Sequence, residues 1–152
     1  MQLTQKETML ISDLKSEEKL CIDKYTRHSS QAIDPQLKNL FSQIAQVERG
    51  HLTTLEEMEK GNLPGGNTSA GSSLSGMTFE KSYTAESSDK ASDAYLCSDV
   101  LMTEKHASDL YDTCVFEFSD QGARDALNHI QKEEQQHGKL IYDYMQTNGM
   151  YS

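Results

Sequence analysis

Residues 44–51 of the chain are Ile-Ala-Gln-Val-Glu-Arg-Gly-His, and residues 130–137 are Ile-Gln-Lys-Glu-Glu-Gln-Gln-His. Both segments contain the motif Glu-x-x-His. Extending the comparison without gaps, residues 12–54 against 98–140, gives ten identical positions at a constant offset of 86 residues. Unrelated segments of ordinary composition would share about two or three. The chain is therefore predicted to be built from a duplicated structural unit.

Each copy of the repeat holds two amphipathic helices. Thr4 and Glu7 form the capping-box pattern that starts a helix, and Asp34-Pro35 places an N-cap and a first-turn proline at the start of the next helix. The predicted helices span about 4–32, 35–60, 88–118 and 121–147. We therefore predict a single all-α domain over residues 1–152, an antiparallel four-helix bundle made of two duplicated helical hairpins.

The stretch between the second and third helices differs sharply in composition. Residues 61–87 are rich in Gly and Ser, with Gly61 and Pro64 ending the preceding helix. A connector of this length is unusual between neighbouring helices. It is the length needed if the two helices must be joined along the full bundle. We therefore predict a flexible crossover connector.

Two further glutamates, Glu18 and Glu104, occupy equivalent positions in the repeat. Each lies 15 residues before its predicted hairpin turn, and Glu48 and Glu134 lie 15 residues after theirs. Antiparallel helices rise at the same rate, so each pair meets at one height, roughly 22 Å from its turn. The sequence thus predicts one site at one level of the bundle. Its six members are Glu18, Glu48, His51, Glu104, Glu134 and His137.

This residue set is typical of a dinuclear metal site. Four glutamates in an apolar core would repel one another and lose hydration, and two divalent cations would supply the counter-charge. Oxygen-rich ligands with one imidazole per ion suit iron or manganese, with zinc as an alternative. Tyr25 and Tyr111 follow Glu18 and Glu104 by two turns, and their hydroxyls are predicted to reach a ligand. Two other interpretations stay open: boundary glutamates without metal, and a vestigial site of protonated carboxylates and water.

Charge and composition exclude several functions. The chain has 24 acidic against 14 basic residues, a net charge of −10, and no basic stripe, which argues against nucleic-acid and membrane partners. The polar N-terminus and the lack of long apolar stretches predict an intracellular protein. Cys21, Cys97 and Cys114 form no CxxC pair and are expected to be reduced packing residues, not thiolate ligands.

The pattern Glu18-x-x-Cys21-x-x-x-Tyr25 followed by Glu48-x-x-His51, repeated in the second half, resembles the ferritin-like di-metal carboxylate superfamily. That resemblance implies two bound metals and O2 or H2O2 as small-molecule partners. Rubrerythrins of that superfamily carry a further glutamate where Ala107 stands here, and a cysteine-ligated iron domain. Built-in electron transfer of the rubrerythrin type is therefore not expected.

The segments 36–41, 94–99 and 128–134 are similar to clostridial spore coat proteins with a coat F domain. That resemblance implies synthesis in the mother-cell cytoplasm, assembly into the spore coat, and partners that are other coat proteins or further copies of the chain. The tyrosines near the C-terminus, among them Tyr142 and Tyr144, are expected to be exposed.

Two functional hypotheses follow. The first is a spore coat protein with a dinuclear iron or manganese centre, structural and protective against oxidants. The second is a soluble di-iron or di-manganese oxidase, peroxidase or catalase-like enzyme. Both predict bound metal, and only the second predicts repeated turnover.

Overall fold

The computed structural model describes residues 1–63 and 74–150, which form four α-helices and no strand. The helices are α1 (Gln5–Gln31), α2 (Pro35–Glu59), α3 (Ser88–Val115) and α4 (Gln121–Thr147). The prediction of four helices is confirmed, but α3 ends three residues early. The amides of Glu117 and Phe118 bond to carbonyls only three residues back, which tightens the backbone into a turn. Within these ranges no helix is long and apolar enough to cross a bilayer.

Each helix starts where a side chain satisfies its first free amides. Thr4 accepts from the Glu7 amide while the Glu7 carboxylate accepts from the Thr4 amide, so the predicted capping box is confirmed. Asp34, Ser87 and Asp120 cap the other three helices in the same way, each by one side-chain oxygen. Such caps contribute about 1 kcal/mol each. Local sequence therefore sets where the helices begin.

The helices pair as two hairpins, α1 with α2 and α3 with α4, and bury two apolar clusters. One cluster, near the α1–α2 turn, includes Tyr25, Phe41 and Tyr144. The other, near the α3–α4 turn, includes Leu14 and Leu127. All four helices pass from one cluster to the other. The six predicted site residues occupy the level between them.

Contacts across the bundle show how the two hairpins are oriented. Tyr25 on α1 contacts Glu104 on α3, and Tyr111 on α3 contacts Glu18 on α1. Tyr111 comes two turns after Glu104, whereas Glu18 comes two turns before Tyr25. Because the higher-numbered residue of one helix meets the lower-numbered residue of the other, α1 and α3 are antiparallel. Consequently α2 and α3 run in the same direction. The chain between them must return along the length of α2, about 37 Å for its 25 residues.

The second half of the connector packs against the bundle. Residues 64–73, part of the stretch predicted to be flexible, lie outside the described residues. Leu74 is buried, and Phe79 lies edge-on to the Tyr144 ring with centroids 5.5 Å apart. The amides of Ser82 and Tyr83 both donate to Asn148 Oδ1, at 2.7 and 3.1 Å. These contacts attach the connector to the end of α4.

Asp93 on α3 is a fully buried carboxylate that links three parts of the fold. It accepts the amides of Ile33 and Asp34 in the α1–α2 turn, at 2.9 and 3.0 Å, and the Tyr83 hydroxyl at 2.6 Å. Nearby, the Tyr144 hydroxyl donates to Asp34 at 2.6 Å. Tyr144 is thus buried, and the expectation that it would be exposed is wrong. The apolar face of α4 continues to its last turn and carries this ring into the core.

Candidate metal centre

The six residues singled out by the repeat come together in the structure. All are buried, with between 0 and 3% of each residue exposed. They fall into two overlapping groups whose candidate ligand atoms lie within 4.8 Å of one another. The first group is Glu18, Glu48, His51 and Glu134, and the second is Glu48, Glu104, Glu134 and His137. Glu48 and Glu134 belong to both groups.

The two imidazoles face the carboxylates with the same ring nitrogen. His51 Nδ1 lies 3.1 Å from Glu134 and 3.3 Å from Glu48. His137 Nδ1 lies 3.1 Å from Glu48 and 3.4 Å from Glu104. His51 Nδ1 also lies 3.7 Å from Glu18. Each histidine therefore meets the glutamate of the other Glu-x-x-His motif as well as that of the first or third helix. The arrangement follows the internal repeat.

The tyrosine hydroxyls reach carboxylates, but across the bundle. Tyr25 donates to Glu104 Oε1 and Tyr111 donates to Glu18 Oε1, each at 2.5 Å. Burial and the nearby carboxylates raise both tyrosine pKa values well above 10. At neutral pH the hydroxyls are therefore protonated donors. Each holds one oxygen of its glutamate and leaves the other oxygen for a different partner.

Burial and repulsion between the carboxylates raise the pKa values of two of the site glutamates. Burial, with the negative charges of Glu18 and Glu104, raises the pKa of Glu48 to about 7. Burial and the charge of Glu134 raise the pKa of Glu104 to about 8. In the absence of cations, protons supply part of the counter-charge that the cluster requires. Divalent cations would displace those protons.

The pKa values of both histidines are raised, although burial alone would lower them. Burial alone would lower the pKa of His51, but hydrogen bonds to carboxylates, that of Glu133 foremost, raise it well above its usual value. For His137 the charge and hydrogen bond of Glu104 outweigh burial and raise the pKa likewise. Both rings carry positive charge readily in this acidic setting.

Unpaired oxygens show that the cluster fits a cation. Oε2 of Glu18, Glu104 and Glu134 is buried and has no hydrogen-bond partner among the described residues. A buried carboxylate oxygen without a partner is costly. Coordination of a metal ion would satisfy such an oxygen. The donor set, four carboxylates and two imidazoles, is one that can hold a metal ion.

Sequence reasoning missed Glu133. This residue is 5% exposed, and its Oε1 lies 2.9 Å from His51 Nε2. Burial would raise its pKa, yet the hydrogen bond and charge of His51 bring it below the usual value. The internal repeat did not predict a role for Glu133, because the equivalent residue in the first half is Val47. The Glu-Glu doublet at 133–134 was the available signal.

Glu17 was missed in a similar way. It is 8% exposed and directly precedes the predicted ligand Glu18. Its carboxylate lies 3.9 Å from the Cys21 sulfur and 3.7 Å from His106 Nε2. Its counterpart in the second half is Thr103, so the repeat gave no hint here either.

The cysteines agree with the packing role predicted for them. Cys21, Cys97 and Cys114 are buried and make no disulfide. Burial raises the pKa of all three thiols, and for Cys21 the four site glutamates raise it further. A thiol under these conditions stays protonated, which makes it a poor nucleophile and a poor metal ligand.

The fold and the site together define a four-helix protein with a buried carboxylate and histidine cluster that could hold a metal ion. Residues 92–152 match the family model of the Coat F domain, which supports the predicted place in the spore coat F family. The matched segment covers most of α3 and all of α4, including Glu104, Glu134 and His137. Searches of curated proteins and of solved structures returned no significant match.

Proposed function

We propose that this protein is a spore coat component whose helical bundle binds two divalent metal ions, iron or manganese, in a dinuclear centre of the ferritin-like type. The observation that carries the proposal is the overlap of the two ligand groups through Glu48 and Glu134. Two carboxylates common to both groups are what a pair of neighbouring ions requires.

Each residue has a distinct role in this proposal. Glu48 and Glu134 belong to both ligand groups and would be shared by the two ions. Glu18 and His51 would complete the ligands of one ion, and Glu104 and His137 those of the other. Both histidines bind through Nδ1, the nitrogen that faces the carboxylates. Zinc is the alternative metal, because the same ligands also accept it.

The surrounding residues orient the ligands and keep the site dry. Protonated Tyr25 and Tyr111 each hold one oxygen of Glu104 and Glu18, which limits how those carboxylates can rotate. The two apolar clusters close the site from both ends of the bundle. Bound iron or manganese would supply one-electron redox chemistry toward O2 or H2O2.

The proposed setting is the spore coat, reached from the mother-cell cytoplasm, with other coat proteins or further copies of this chain as partners. The Coat F match supports the spore coat as the location. Metals bound there would stabilise the bundle by neutralising its buried charge, and they would supply redox chemistry that removes oxidants. The second candidate is a soluble di-iron or di-manganese oxidase, peroxidase or catalase-like enzyme, favoured by the redox-active metals that this ligand set suits.

Elemental analysis tests the metal site. The full chain, purified without chelator, is expected to hold two ions, and the double variant Glu48→Ala, Glu134→Ala is expected to lose both while its far-UV circular dichroism stays helical. A matched control is Glu56→Ala with Asp125→Ala, which removes two exposed carboxylates from the same helices. A wild-type protein without metal, whose melting temperature ignores added Fe(II) and Mn(II), would rule the proposal out.

Oxidant assays separate the two candidate functions. Both predict that the loaded protein reacts with H2O2 or O2. Consumption of about one molecule of H2O2 or O2 per metal centre supports the coat protein with a protective centre. Many turnovers per centre, lost in the double variant, support the enzyme.

A further inference from the structure

The two histidines of the candidate centre have different neighbours on their outer side. His51 Nε2 lies 2.9 Å from the carboxylate of Glu133. His137 Nε2 is equally buried, and among the described residues it has no hydrogen-bond partner. The position equivalent to Glu133 in the repeat is Val47, which is 4% exposed and cannot accept a hydrogen bond. The duplication is thus broken at one position, beside one of the two candidate ion positions.

We propose that the two ion positions are inequivalent, and that the position bounded by Glu18 and His51 fills first because Glu133 orients and polarises His51. This inference rests on the proposed dinuclear centre and concerns the order in which it loads. Glu133 is a positioning residue, since it acts on the ion through the imidazole ring.

The physical basis is the tautomer of each ring. Nδ1 can bind a cation only when the proton of the neutral imidazole sits on Nε2. For His51 that proton is donated to Glu133, which fixes both the tautomer and the ring orientation and makes Nδ1 more electron-rich. For His137 the same proton is buried and has no acceptor among the described residues, and a buried donor without an acceptor is unfavourable. Metal binding at Nδ1 therefore leaves a buried N–H without an acceptor at His137, but not at His51.

Charge acts in the same direction. Glu133 adds a fifth buried carboxylate close to the His51 side, whereas the equivalent position in the other half of the repeat is Val47, which carries no charge. A cation in the first position is attracted by this additional charge at short range, through surroundings that screen it weakly. Partner carboxylates of this kind change metal affinity by about 10- to 100-fold. We expect the two binding steps to differ by a factor within that range.

Calorimetric titration of the metal-free full chain with Zn(II) measures both steps. Wild type is expected to show two resolved events of one ion each. Nitrogen-15 spectra of the histidine rings should show His51 responding to the first equivalent and His137 to the second. In Glu133→Val, which copies the other half of the repeat, the first step should weaken about 10- to 100-fold while the second changes less than about twofold.

Two further variants keep the result unambiguous. Val47→Ala is the matched control at the equivalent position, and it should leave both steps unchanged because no hydrogen bond is lost. Glu133→Gln keeps the side-chain volume should the valine variant fold poorly, and it should weaken the first step alone, by at least about threefold.

The outcomes separate the two levels of the proposal. Two ions bound with equal affinity, or a Glu133 variant that weakens both steps alike, would overturn the inference and leave the dinuclear centre standing. A first equivalent that shifts His137 before His51 would also overturn it. Failure of the wild-type chain to bind Zn(II), Fe(II) or Mn(II) would remove the proposed centre itself.

Discussion

The hydroxyl of Tyr25 donates to Glu104, and the hydroxyl of Tyr111 donates to Glu18, at 2.5 Å in both cases. Each tyrosine comes two turns after one glutamate in sequence and holds the other glutamate in space. The two hairpins are therefore joined by a reciprocal pair of buried hydrogen bonds, related by the internal repeat.

This reciprocity predicts matched effects of removing either hydroxyl. Tyr25→Phe and Tyr111→Phe should each lower the free energy of unfolding of the metal-free protein by about 1–3 kcal/mol, because a buried carboxylate oxygen loses its donor. Urea denaturation measures the change. Tyr95→Phe is the control: Tyr95 is 73% exposed, and its change should stay within about 0.5 kcal/mol. A large loss in one variant and none in the other would show that the two contacts are not equivalent.

The pKa shifts predict how the stability of the metal-free protein depends on pH. Glu48 and Glu104 have folded-state pKa values of about 7 and about 8, above the ordinary 4.5, so the folded state holds protons that the unfolded chain has released. Their contribution is complete below pH 4.5 and is lost as pH rises toward 8. The raised pKa values of His51 and His137 act in the same direction above pH 6.5.

Denaturation at pH 5, 6, 7 and 8 should therefore show the metal-free protein becoming less stable as pH rises. Saturating Mn(II) should flatten or reverse this trend, because bound cations replace the protons. Glu48→Gln, which cannot ionise, should reduce the slope between pH 5 and 7. A metal-free protein that gains stability steadily over this range would contradict the assignment of protons to these carboxylates.

The carboxylate of Asp93 should be a major determinant of stability outside the site. Asp93→Ala leaves two amides and the Tyr83 hydroxyl without their acceptor, and we expect a loss of about 3 kcal/mol or more. Tyr83→Phe removes one of the three contacts and should cost about 1 kcal/mol. Asp112→Ala, an exposed position on the same helix, serves as the control. Thermal denaturation compares the three variants.

The glycines beside the ligand histidines should tolerate a side chain. A Cβ at Gly50 would meet nothing within 4 Å, and one at Gly138 would make an ordinary contact of 3.7 Å with Leu101. Each change to alanine should stabilise its helix by about 0.5–1 kcal/mol, since glycine loses more backbone freedom on folding. Gly61→Ala should instead destabilise, because φ there is +86° and the new Cβ would lie 2.6 Å from the Met1 carbonyl oxygen. Melting temperatures distinguish the two directions.

The sequence by itself determined the features that depend on local geometry. Helix starts follow from side chains such as Thr4 and Asp34, which satisfy amides only two or three residues away. The constant rise of a helix and the 86-residue repeat were enough to bring Glu18 and Glu48 to one level. Each of these properties is carried by residues close together in the chain, or by a spacing that the chain repeats.

Only the tertiary structure decided which side chains meet across the bundle. Tyr25 pairs with Glu104 rather than with its neighbour Glu18, and Glu133 reaches His51 while His137 Nε2 is left without a partner among the described residues. These contacts depend on the relative rotation and height of two helices that lie far apart in sequence. The periodicity of one helix shows which face is buried, but it does not specify which atoms on the opposing helix will lie within hydrogen-bonding distance.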